Sequence, residues 1–318
     1  MTQVMFLFLI ICALLVLVEK RTAMLIVYMA IFSLVTTICS MMMGSLDIAM
    51  AEAATSAFMV VFIIVCFENY YGFDDTPIGS HATVRKLFSL KTLVPLSFVI
   101  GLFALFVYFI PDVADNTYLR DRYLAAFSYD VGGTNAVTSI YLGYRVYDTL
   151  FEALVVVISV VAAVHLSEFG ETEVKTEHRS EIENSGMAIF SIQIICPIMI
   201  LYGIYLILNG HITPGGGFQG GLAVASFFIC RYLIYDVNDL PIRKLNLMED
   251  IVFIGICLVA ASIVFLGAAA YLPEHIQPWF QTGYMVIMNL LIGLKVACGF
   301  IILFYRYIVV EQRGSSKN

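Results

Sequence analysis

A few ionisable side chains stand inside otherwise apolar runs. Glu52 sits in "AMAEAATSA", Asp148 and Glu152 in "YDTLFEALVV", His165 in "AAVHLSE" and Lys295 in "LIGLKVACGF". A charge at the centre of an apolar helix costs at least ~2.5 kcal/mol in a bilayer, so such a group faces a cavity, a partner or a proton path. Asp148 and Glu152 are spaced i, i+4 and project from one helix face. Two close carboxylates tend to share a proton, because the second ionisation works against the first, and such a pair can load and unload near neutral pH. Arg145, three residues before Asp148, can offset one of the charges. An acid pair favoured by the helix dipole at an N-terminus accounts for the same spacing. Lys295 lies too deep in its run to snorkel and requires a carboxylate from another span or subunit. His165, ~20 Å from Glu152 at 1.5 Å per residue, is either a relay or an interfacial histidine at a helix end. Glu52 is a transport candidate, with snorkelling or capping as its alternative. Asp47 reads as interfacial and Glu68 as a solvated helix-end acid.

A second pattern is "GHITPGGGFQGG", residues 210–221. A phosphate loop needs GxxxxGK[ST], with a lysine for the phosphates and a hydroxyl for magnesium, and this stretch has neither. Pro214 cannot donate a backbone hydrogen bond, and Gly215, Gly216 and Gly217 permit positive φ and close backbone approach. Together with Gly220 and Gly221 they predict a tight turn packed between helices. The functional alternative is a polar entrance lined by His211 and exposed backbone groups.

The elements that position these residues follow from composition. Of the 318 residues, 61% are hydrophobic and 13% charged, and the mean hydropathy is +0.92, more apolar than a soluble domain requires. Apolar runs long enough to cross a hydrocarbon core of ~30 Å recur along the chain. They predict an all-α polytopic membrane protein with nine spans, at 3–18, 22–44, 50–68, 92–110, 149–167, 187–209, 220–236, 250–271 and 283–308. The first run has neither a preceding positive charge nor a small-residue cleavage site, so it reads as a retained helix. Placing the N-terminus outside and the C-terminus inside puts 13 of the 17 Lys and Arg on the inner side, which is the orientation the charge bias favours. The net charge of −7 and the lack of a basic stripe interleaved with aromatics set nucleic acid aside. The seven cysteines fall singly in different spans, without the spacing of a metal clip or a CxxC pair.

The glycine pattern closely resembles the signature of the B subunit of Mrp-type sodium/proton antiporters, shared with related subunits of membrane-bound NiFe hydrogenases and sulfane reductases. Gly210, His211, Thr213, Pro214, Gly215, Gly216, Gly217, Phe218, Gly220 and Gly221 all fall in register. Two further blocks resemble the C-terminal part of the antiporter's A subunit. "LDIAMAEAATSAF" matches at Asp47, Ala49, Glu52 and Ala53, with Leu46 in place of a proline. "NAVTSIYLGYRVYDTLFEALVV" matches at Asn135, Val137, Arg145, Tyr147, Asp148, Thr149, Leu150 and Glu152, with Gly143 in place of an acid and Phe151 in place of a glycine.

The resemblance implies three fused modules: 1–90 with three helices, 91–180 with two, and a four-helix B-like module at 181–318. It implies a subunit of an ion-translocating complex in a prokaryotic plasma membrane, moving H+ or Na+, with no cofactor or redox active site on this chain. The partners it implies are other Mrp-like membrane subunits, including antiporter-like ones, together with the lipid bilayer. The lack of a fused antiporter module leans towards a hydrogenase-type respiratory complex with soluble iron–sulfur and NiFe-type subunits. A stand-alone Mrp antiporter and a purely structural linker subunit are the alternatives.

Overall fold

The computed structural model describes residues 2–19, 21–71, 97–98, 100–105, 108, 117–168, 186–234, 242–266 and 277–315. In chain order the helices are α1 (Thr2–Val18), α2 (Thr22–Met42), α3 (Leu46–Tyr71), α4 (Tyr118–Asp130) and α5 (Ala136–Ser139). A π-helical turn (Ile140–Tyr144) then leads into α6 (Val146–Glu168), followed by α7 (Gly186–Asn209), α8 (Gly217–Ile234), α9 (Ile242–Leu266) and α10 (Gln277–Ser315). Among the described residues six helices are long and apolar enough to cross a membrane: Thr22–Met42, Leu46–Phe67, Val146–His165, Ile189–Asn209, Arg243–Ser262 and Trp279–Tyr307. The first expected span is a shorter apolar helix, Val4–Val18. The seventh is helical as α8, and most of the fourth lies outside the described residues.

Helices α8 and α10 form the centre. They pack on each other, α7 lies against α8, α9 and α6 against α10, and α3 against both, while α2 and then α1 extend outward from α3. Leu222 and Ala225 of α8, Met285, Met288 and Ile302 of α10, and Ile256 of α9 are almost fully buried. In a bilayer the lipid tails are as apolar as leucine, so helices join through close packing rather than hydrophobic burial. Aromatic edges tie α3 to α10: the rings of Phe58 and Phe300 meet edge-on with centroids 4.8 Å apart.

Two helices start ahead of their hydropathy boundaries in ways that matter for the polar side chains. Helix α2 stops in a Schellman turn, in which Gly44 (φ +78) donates to Met41 O and Ser45 donates to Ser40 O. That turn starts α3 at Leu46 rather than near residue 50, so Asp47 stands in the first turn of the helix. Helix α9 begins at Ile242, eight residues before the expected span at 250–271, which brings Glu249 inside it.

Candidate functional site at the glycine turn

Residues 210–216 join α7 to α8. Gly215 has φ +130, a conformation that a side chain would strain. The turn folds tightly on itself: a Cβ at Gly210 would lie 2.7 Å from Gly216 Cα. The glycines that follow serve two helix contacts. A Cβ at Gly217 would lie 2.5 Å from Asn289 O, and one at Gly221 2.6 Å from Gly293 O, so this GxxxG face seats α8 against α10. A Cβ at Gly220 would lie 2.6 Å from Gly203 O, on the side facing α7.

The turn is clasped by residues far away in sequence. Asp47 Oδ1 accepts the Gly215 N–H at 3.1 Å and the Asn135 Nδ2 hydrogen at 3.0 Å. Asn135 Oδ1 caps α5 by accepting from Val137 N at 3.0 Å, and its Nδ2 also donates to Thr213 O at 3.1 Å and Gly210 O at 3.3 Å. Thr138 Oγ1 donates to Gly210 O at 2.7 Å. The His211 carbonyl accepts from the backbone N–H of both Thr134 and Asn135, at 3.0 and 3.1 Å. The polar backbone of an irregular turn is thus satisfied from α3 and from the segment entering α5, as irregular chain among membrane helices requires. His211 contributes its main chain; its ring Nδ1 is buried without a hydrogen-bond partner among the described residues.

Beneath the turn lies an amide. Asn289, fully buried on α10, accepts the Gly217 N–H on Oδ1 at 3.1 Å, with the Tyr141 hydroxyl 3.5 Å from the same oxygen. Tyr141 belongs to the π-turn, whose widened ring frees backbone carbonyls. Two are recaptured: Thr149 Oγ1 donates to Tyr141 O at 2.7 Å, and Tyr284 Oη donates to Leu142 O at 2.8 Å. Gly143 lets the turn pass Val131, whose methyl groups a Cβ would meet at 2.6 Å. Burial pushes the Tyr141 phenol up to about 12; a hydrogen bond with Thr138 works against this, and the Asp47 and Glu152 carboxylates push the same way as burial. Tyr141 therefore stays protonated, within electrostatic reach of carboxylates on α3 and on α6.

The other expected residues are dispersed. Glu52, half-buried, accepts from Ser33 Oγ of α2. Asp148 is exposed and paired with Arg145 at 2.6 Å. Glu152 and His165 are exposed on α6. Glu68 lies in the last turns of α3. Lys295 has the carboxylate partner its depth required, Glu249 of α9. Among the described residues no group of three or more His, Cys, Asp or Glu side chains is placed to hold a metal ion.

Asp47, read from the sequence as interfacial, is also the acceptor that fixes the glycine turn. Tyr141, Asn289 and Glu249 had no part in the sequence reading. For Asn289 a signal was available, a lone amide in the apolar run "VIMNLLIGLK". Glu249 was hidden because "MED" ends the polar stretch before the run.

Residues 187–302 match the family described as "Domain related to MnhB subunit of Na+/H+ antiporter". The chain is 37% identical over 81 residues to the putative antiporter subunit mnhB2 of Staphylococcus epidermidis, which covers 24% of this chain and 55% of that one. It spans about half the length of that curated relative. The fold is similar to a chain of the Mrp complex from Dietzia sp. DQ12-45-1b, with TM-score 0.66 and 16% identity, covering 93% of this chain and 34% of that one. It is also similar to a chain of the membrane-bound sulfane sulfur reductase, an archaeal respiratory membrane complex, with TM-score 0.53 and 25% identity, covering 70% of this chain and 97% of that one. With membrane-length helices on either side of its glycine turn, the chain is a multi-pass protein of the prokaryotic plasma membrane whose residues 187–302 form an MnhB-like domain.

Proposed function

We propose that this chain is a subunit of a membrane-bound, hydrogenase-type respiratory complex that moves H+ or Na+, and that Glu52 and the Asp148–Glu152 pair lie on the ion path. The observation that carries the reading is the clasp. Asp47 of α3 and Asn135 at the entry to α5 hold the glycine turn of the MnhB-like domain, so three distant segments are tied together. Glu52 stands five residues beyond Asp47, and Asp148 and Glu152 follow Asn135 on the adjoining helix. Asp148 and Glu152 are open towards whatever packs on α6. A neighbouring antiporter-like subunit there would complete a path that this chain, with few intramembrane acids, supports in part.

The likeness to a chain of the sulfane sulfur reductase over nearly that chain's whole length supports a redox-driven assembly. The likeness to the Mrp complex, over more of this chain, supports the second reading, a gradient-driven cation/proton antiporter. In both readings this chain carries no cofactor and Na+ or H+ is the cargo. Gentle purification of the tagged chain from native membranes with mass spectrometry of its companions separates them. Iron–sulfur or NiFe-type subunits in the preparation favour the respiratory complex, and antiporter-like membrane subunits alone favour the exchanger. Glu52→Ala, Asp148→Ala and Glu152→Ala are each expected to impair ion movement in an assembled complex, and normal flux in all three would remove them from the path.

A further inference from the structure

Lys295 is 0% exposed and the Glu249 side chain 6%. Lys295 Nζ donates to Glu249 Oε1. The Phe253 ring, one turn beyond Glu249, stands 5.5 Å from Nζ. Helix α6 closes the other side: a Cβ at Gly299 would lie 3.0 Å from Val156 Cγ1, 3.3 Å from Val160 Cγ2 and 3.6 Å from Glu249 Oε1. An ion pair this dry is poor glue, since desolvation of both charges offsets their attraction and apolar side chains of similar volume hold such a contact at least as well.

The two helices that carry the pair each bear an amide with a buried, unpartnered atom among the described residues. Asn289, on the glycine-turn side, precedes Lys295 by six residues, about 9 Å along the helix, and its Nδ2 has no hydrogen-bond partner among the described residues. Asn246 precedes Glu249 by one turn on the opposite side, and its Oδ1 is likewise buried without a partner there. Buried amide atoms of this kind are where ordered water binds.

We propose that Glu249 and Lys295 form a proton-exchange site, with Asn289 and Asn246 holding the waters that deliver and remove the proton. Lys295 Nζ passes a proton to Glu249 Oε1, leaving a neutral amine and a neutral carboxylic acid. Glu249 then releases a proton to water on the Asn246 side, and the amine takes one from hydronium on the Asn289 side. The ion pair is restored and one proton has moved across it; the reverse sequence carries a proton back. The site rests on the ion-translocating reading above and adds a route through the MnhB-like domain itself.

The test uses everted membrane vesicles holding the native complex, with a ΔpH-sensitive dye and added Na+. Glu249→Gln and Lys295→Gln are each expected to lose proton movement, and the double variant, which leaves no unpaired charge, is expected to assemble and still lack it. Proton movement kept by the double variant overturns this step alone. Wild-type vesicles that move no protons in response to Na+ or to respiration overturn the proposed function and this step with it. A probe independent of folding is a hydrophobic carbodiimide, which attacks protonated buried carboxyls. Modification of Glu249 in wild-type vesicles with loss of movement is expected, and a Glu249 peptide recovered unmodified overturns the site.

Discussion

Asp47 carries two donors on one oxygen, which makes its replacement a graded test of the clasp. Asp47→Ala removes the acceptor of the buried Gly215 N–H. An unsatisfied buried donor costs ~1–3 kcal/mol. Asn135 loses one of three acceptors but keeps Gly210 O and Thr213 O, so its share is on the order of 1 kcal/mol. The sum, ~2–4 kcal/mol, is a large part of the ~5–15 kcal/mol that holds a typical protein folded. Asp47→Asn leaves a carbonyl oxygen where Oδ1 stands and loses only the assistance of the charge, about half of each bond's strength. The expected order of thermal midpoints is therefore wild type, then Asp47→Asn, then Asp47→Ala. It is read by heating detergent-solubilised complex and following the monodisperse peak on a sizing column. An Asp47→Ala midpoint equal to wild type would refute the clasp, and so would an Asp47→Asn loss as large as that of alanine. If Asp47→Asn is stable but ion movement stops, the carboxylate also belongs to the path.

Further outcomes follow from the same geometry. Gly217→Ala puts a methyl group 2.5 Å from Asn289 O and should force α8 from α10 at ~1–3 kcal/mol, lowering the yield of assembled complex. Gly283→Ala, with nothing among the described residues within 4 Å of the added carbon, should not. Gly216→Val meets the Tyr141 hydroxyl and should likewise reduce assembly; a normally abundant complex would contradict the packed turn. Tyr284→Phe strips the Leu142 carbonyl of its donor and is expected to lower the thermal midpoint by the equivalent of ~1–3 kcal/mol. Asp148→Ala breaks a pair whose side chains are 61% and 52% exposed, so stability should change by no more than ~1 kcal/mol, and any loss of ion movement is then functional. With the C-terminus inside, a C-terminal fluorescent protein should glow and a C-terminal alkaline phosphatase should stay inactive; the opposite pair would invert the orientation.

Much of the fold was legible because a bilayer imposes length and apolarity on each helix. The glycine turn was legible too, since Pro214 and Gly215–Gly217 leave few backbone alternatives. The clasp was not. Asp47 and Asn135 lie 88 residues apart, and nothing local tells an acid that caps its own helix from one that reaches a distant turn. The π-turn at Ile140–Tyr144 has no composition of its own; Thr149 and Tyr284, which support it, look like ordinary residues of apolar helices. Glu249 was missed because hydropathy locates where a run becomes apolar, whereas the helix had begun two turns earlier.

The hydrogen bonds also sort the acids by what they can do. A carboxylate whose donors are fixed by the backbone is held in one geometry, whereas one whose partner can turn is free to rearrange. Asp47 accepts a backbone N–H and an amide that cannot turn away without opening the glycine turn, so it is held in one geometry. Glu52 accepts from the Ser33 hydroxyl, a rotor that can point elsewhere. Glu249 meets the Lys295 ammonium, the partner with which the site proposed above exchanges a proton. The gradation runs from fixed to exchangeable along the chain's intramembrane acids. It follows that Asp47 variants should fail first in stability, and Glu52 and Glu249 variants first in ion movement.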